Sequence, residues 1–139
     1  MIHPKLKATV FARDGHFCVI AGGHCTGIAT TVDHRANRGA GGSRLLDIPE
    51  NLVSACRICN GLKEDADGVY RADLIARGLR VEKAATNAVT AERCRNRPVM
   101  YPDGWHLLEG DLRVLIPSVE AVALMLEQGA IVTGDGNIF

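Results

Sequence analysis

Two pairs of cysteines, Cys18 with Cys25 and Cys56 with Cys59, frame the middle of the chain, and no other feature restricts its folding so tightly. The second pair, Cys56-Arg57-Ile58-Cys59, has the spacing that lets two thiolates grip one tetrahedral Zn²⁺ from a tight knuckle. The first pair is wider, with six residues between, but Gly22 and Gly23 let its loop fold back. Two such pairs around a strand–loop–strand make a closed four-thiolate site with no open coordination position. The expected zinc is therefore structural, and its binding free energy becomes folding free energy. His24 is an alternative ligand to its neighbour Cys25, with the thiolate favoured. Cys94 has no partner in sequence and reads as a lone thiol.

Hydrophobic periodicity organises the rest. Residues 5–13 place Leu6, Val10 and Phe11 on one helical face, and Gly15 stands where a C-terminal cap would. Residues 28–32 alternate and are β-branched, predicting a strand that runs into Asp33 and His34. The segment 35–50 is a loop broken by Gly39, Gly41, Gly42 and Pro49. A second strand is expected over 51–57, then a helix from Asn60, interrupted near Gly68 and closed by Gly78. Beyond a basic linker the pattern predicts strands at 99–101, 105–108 and 112–116. A last helix follows, capped by Ser118, with Val119, Val122, Ala123 and Leu126 on its buried face and Gly129 at its end. The fold class is α+β. The expected organisation is a core over 1–78, a basic linker or helical segment over 79–97, and a small α+β extension over 98–139.

The chain has 139 residues, 47% of them hydrophobic, with 16 basic and 16 acidic side chains. No apolar run is long enough to span a bilayer, and the N-terminal stretch is amphipathic rather than a signal peptide, so a cytoplasmic, membrane-free protein is expected. In that reducing setting the five cysteines argue for metal ligation over disulfides. The zero net charge hides an asymmetry: residues 1–97 carry 15 Lys and Arg against 10 Asp and Glu, and residues 98–139 one against six. A basic front backed by an acidic face suits a polyanion partner.

Within the cysteine frame, Asp33, His34, Asn51 and the run Cys56-Arg57-Ile58-Cys59-Asn60 together resemble the HNH endonuclease family and its ββα-metal core. The entry Arg13-Asp14-Gly15-His16-Phe17-Cys18 resembles the helix-to-knuckle passage of zinc-bearing members. The wide first knuckle is similar to members encoded by phages and actinobacteria. Asn60 stands where the family name expects a final histidine, a recurrent variant. The resemblance covers roughly residues 5–65 and implies a metal-dependent DNA endonuclease, nicking or cutting both strands by a one-metal mechanism.

The chemistry explains these residue types. His34 is the expected general base, since imidazole is the side chain whose unperturbed pKa lies near neutral pH. Asp33 and Asn60 offer hard oxygen ligands for a catalytic divalent cation, Mg²⁺ or Mn²⁺, acting as a Lewis acid. Asn51 matches the family asparagine that braces the loop and orients the histidine. Arg35, Arg38, Arg44 and Lys63 are candidate DNA phosphate contacts, with solvated surface charge an equal reading for each. DNA is the expected partner. A terminase subunit or another targeting protein is a second, by analogy with phage members, and the expected state is a monomer or weak homodimer. The competing function is a non-catalytic zinc-stabilised module for DNA binding or protein docking. His3, His16 and His106 read as surface or packing residues, and Tyr101 and Trp105 as anchors of the C-terminal unit.

Overall fold

The computed structural model describes residues 2–39 and 44–131. Among them are five α-helices and two small antiparallel sheets, a mixed α+β arrangement. Helix α1 (Pro4–Arg13) opens on a proline, whose missing N–H costs nothing in a first turn. It stops at Gly15 in the left-handed region (φ 71°), where the next amide, His16 N–H, bonds back to Phe11 O at 2.9 Å. Its Val10 packs with Val32 and Leu52 of the following strands, flanked by Leu6 and Phe11.

Strands β1 (Thr31–His34) and β2 (Leu52–Ala55) pair antiparallel, with Asp33 opposite Val53 and His34 opposite Leu52. Helix α2 (Arg57–Glu64) follows at once. The expected second strand stops two residues short of Arg57, and the helix begins three residues before Asn60. Cys56 causes both shifts, because its sulfur accepts the Cys59 N–H at 3.3 Å and caps the helix. The first expected strand is also displaced: Ile28 makes only an isolated bridge with Phe17.

After α3 (Gly68–Ala76) the chain turns at Gly78, whose φ is 75° and where an added Cβ would stand 1.8 Å from Pro98 O. Helix α4 (Asn87–Arg95) has the Thr86 side chain as its N-cap. The meander β3 (Val99–Tyr101), β4 (Gly104–Glu109) and β5 (Leu112–Leu115) leads to α5 (Ser118–Glu127). Ser118 is the first residue of that helix rather than its cap, a place taken by Pro117. The buried face is Ala121 and Met125, while Val119 is 78% exposed. This helix is apolar on nearly every side, so periodicity could not set its phase.

The segments expected as core, linker and extension share one interior. Val19, Ile20, Val53 and Ala55 pack in the same cluster as Leu74, Leu79, Val99, Tyr101 and Leu108. A buried polar knot crosses the same boundary. Asp14 accepts from both nitrogens of the Arg13 fork, from Ser54 N–H at 3.0 Å and from the Tyr101 hydroxyl at 2.7 Å. A carboxylate with that many donors is compensated for its burial. Among the described residues no helix is long and apolar enough to cross a membrane.

Candidate functional site

The loop after α1 delivers Cys18 and Cys25, and the start of α2 delivers Cys56 and Cys59. Their four sulfurs lie within 4.8 Å of one another, and none of the five cysteines is in a disulfide. A tetrahedral zinc with bonds of about 2.3 Å needs sulfurs roughly 3.8 Å apart, so a small contraction closes the site. The surroundings suit thiolates. Gly22 N–H donates to Cys59 Sγ and Gly27 N–H to Cys25 Sγ, each at 3.3 Å. Among the described residues the Tyr70 hydroxyl is buried without a partner in the same corner, since a Cβ at Gly22 would meet Tyr70 Oη at 3.1 Å and Cys59 Sγ at 3.5 Å. Such an orphaned donor is what a charged thiolate accepts from. Burial pushes the Cys18 and Cys59 thiols up. It acts on Cys56 too, but hydrogen bonds from Thr26 and Cys59 outweigh it and hold that thiol at about 6. The donor set fits a structural zinc, with all four positions filled by protein. His24 is exposed and outside the cluster.

Beside this knuckle lies a cleft of about 460 Å³, whose lining includes Asp33 and His34 from the end of β1 and Asn60 and Lys63 from α2. Neighbouring strand residues point to opposite faces, yet both line this cleft, at the end of β1 where the strand stops. His34 Nε2 bonds Asp47 Oδ1 at 2.8 Å, and Arg38 holds the other Asp47 oxygen at 2.8 Å. Lys63 Nζ sits 2.5 Å from Asp33 Oδ2 and 2.7 Å from His34 O. Burial pushes the Asp33 carboxyl above its ordinary range, against the opposing charge of Lys63. Among the described residues, His34 Nδ1, Asp33 Oδ1 and the Asn60 amide have no hydrogen-bond partner.

Asn51 is fully buried and does not reach the cleft. Its amide clamps the loop from within, accepting Ala36 N–H at 2.7 Å and donating to Ala36 O and Leu46 O at 3.0 Å. Cys94, the lone thiol, is buried and bonds Asn51 Oδ1 at 3.2 Å.

Two expected phosphate contacts are corrected. Arg35 is 1% exposed, and its guanidinium is consumed by the carbonyls of Gly78, Glu50, Cys94 and Arg97 at 2.6–3.1 Å. Lys63 is 5% exposed and committed to Asp33. Arg38 does line the cleft. Arg44 is exposed at a short 3₁₀ turn away from the cleft lining, and Gly41 and Gly42 lie outside the described residues. Sequence reasoning missed Asp47, which the 3₁₀ turn at Arg44–Leu46 brings back to His34. Nor did it single out Arg71, Arg80 and Lys83, which also line the cleft. His3 caps α1, His16 stacks on Phe11, and His106 packs edge-on against Tyr101.

Fold and site together define a mixed α+β protein built on a four-cysteine cluster beside a charged cleft. No family model and no solved structure matches the chain. The chain belongs to the family of the Gene 4 protein of Mycobacterium phage D29, with which it is 39% identical over 78 residues, covering 55% of this chain and 74% of that protein.

Proposed function

We propose that the protein is a metal-dependent DNA endonuclease of the HNH type, hydrolysing phosphodiesters with His34 as general base. One observation carries the reading: Asp33, His34 and Asn60, from the end of β1 and from α2, line one cleft. The order β1, β2, α2 behind paired cysteine knuckles supports it.

Asp47 holds His34 through Nε2, which fixes the ring and leaves Nδ1 to take a proton from water. Asn51 acts one step removed, by fixing the loop that carries Asp47. The carboxylate of Asp33 and the amide oxygen of Asn60 would hold Mg²⁺ or Mn²⁺. Their donor set fits, since both are hard oxygens and Asp33 already accommodates one cation, the Lys63 ammonium. When bound, that ion supplies Lewis-acid charge at the scissile phosphate.

A second reading, a zinc-stabilised DNA-binding or docking module without catalysis, is favoured by that same ammonium, which holds an oxygen a metal would use. A plasmid assay on the zinc-loaded protein separates the two. Metal-dependent conversion of supercoiled DNA to open-circular or linear forms, lost in His34→Ala with zinc content unchanged, is the expected result. A salt-sensitive gel shift without cleavage favours the binding module. The phage origin of the relative suits a phage setting, and on the endonuclease reading a terminase subunit is the partner to seek by co-purification.

A further inference from the structure

The wall of the cleft that holds His34 also carries Arg71 from α3 and Arg80 and Lys83 from the segment after Gly78. Among the described residues, none of these three cations has an ion-pair partner. Their basic neighbours do: Arg38 is paired with Asp47, Lys63 with Asp33, and Arg77 with Asp73. In a chain with equal numbers of acids and bases, three unpaired cations on one concave wall are a concentration of charge rather than an average. Two carboxylates share the cleft, Glu64 and Glu82. They leave the wall with a cationic surplus, because Lys63 already neutralises Asp33.

The wall is held in place by the residue expected to touch phosphate itself. Arg35 Nε donates to Gly78 O at 2.7 Å, and Arg35 O accepts Val81 N–H at 2.9 Å. Val81 is buried against Ala36 and Cys94. Beyond Val81, Glu82 O accepts from Arg93 at 2.7 Å and Ala84 N–H donates to Thr90 Oγ1 at 2.8 Å, so Arg80 and Lys83 project from a held backbone and little order has to be gained on binding. The Lys83 ammonium lies beside Gly39, another lining residue, since a Cβ there would stand 3.2 Å from its Nζ.

We propose that Arg71, Arg80 and Lys83 form a track for DNA backbone phosphates flanking the one attacked, the binding role for which Arg35 and Lys63 are too buried. The inference rests on the endonuclease reading but has a separate readout. Each phosphate contact releases condensed counterions, so the slope of log affinity against log salt steepens by about 0.9 per contact on duplex DNA. At about 0.1 M salt that equals roughly eightfold in affinity per contact.

The test is binding of the zinc-loaded full chain to a labelled duplex, by fluorescence anisotropy across a salt series without Mg²⁺ or Mn²⁺. The combined variant Arg71→Gln, Arg80→Gln, Lys83→Gln should flatten the slope by about 2 to 3, and Lys83→Gln alone by about 1. The charge-preserving set Arg71→Lys, Arg80→Lys, Lys83→Arg should keep the parent slope. Lys83 is exposed, so its single variant reads the charge even where the combined one folds poorly. A parent slope retained in the Gln variants, with His34-dependent plasmid cleavage intact, overturns the track and leaves the endonuclease standing. A parent protein that neither binds nor cleaves DNA overturns both.

Discussion

An imidazole with two free nitrogens can turn about its side-chain bonds, and a general base that turns is a poor one. Asp47 removes that freedom from His34 by accepting or sharing the proton at Nε2, and Arg38 in turn steadies Asp47. The expected result for Asp47→Ala is nicking slowed on the order of 10²-fold, the scale attached to a misplaced reacting group. Initial rates at saturating metal, with thermal unfolding as a control, would check it. A rate equal to the parent would take Asp47 out of the mechanism. Asp33, His34 and Asn60 stood out in the sequence because their residue types and order resemble a known constellation, and the fold lines one cleft with all three. Asp47 did not stand out, because a carboxylate thirteen residues downstream of His34 has no characteristic spacing. Arg35 misled for the opposite reason. A basic residue in a glycine-rich loop reads as solvated, and only the fold reveals four carbonyls converging on it.

Elements whose patterns were periodic and bounded by turn residues were readable to within a residue or two: α1 ends before Gly15, and β3, β4 and β5 are divided at Pro102-Asp103 and Gly110-Asp111. Where local pattern and tertiary contact compete, contact decides. The phase of α5 is set by what it packs against, and the end of β2 by a sulfur cap. Gly78 shows the same competition at a junction. It needs a positive φ, and its Cα lies so near Pro98 that any side chain meets backbone. The left-handed conformation alone costs a non-glycine residue about 1–2 kcal/mol, and moving Pro98 would add to that by tilting β3. Gly78→Ala should therefore lower unfolding free energy by more than about 2 kcal/mol, read from the midpoint of urea denaturation at fixed zinc. A shift under about 0.5 kcal/mol, the range of an ordinary surface substitution, would mean that the junction yields easily.

For the molecule as a whole, the decisive question is how far the influence of a zinc held by the four cysteines would reach. Composition suggested a zinc-stapled core with an appendage, and so a local effect of chelation. The interior argues otherwise, because Cys18, Cys56 and Cys59 sit in one cluster with Val99, Tyr101 and Leu108 of the C-terminal sheet. Structural zinc contributes about 10–16 kcal/mol in small zinc-folded peptides, comparable to or above the roughly 5–15 kcal/mol that holds a whole domain together. Removing it should then unfold the chain cooperatively, C-terminal sheet included. The sequence supplies a reporter, since its single tryptophan, Trp105, lies in β4, far along the chain from the cysteines. Titration with a strong chelator should shift Trp105 fluorescence and far-UV ellipticity together, and restored zinc should reverse both. If Trp105 keeps its native emission while ellipticity falls, the sheet stands without the metal and the shared interior is not a cooperative unit.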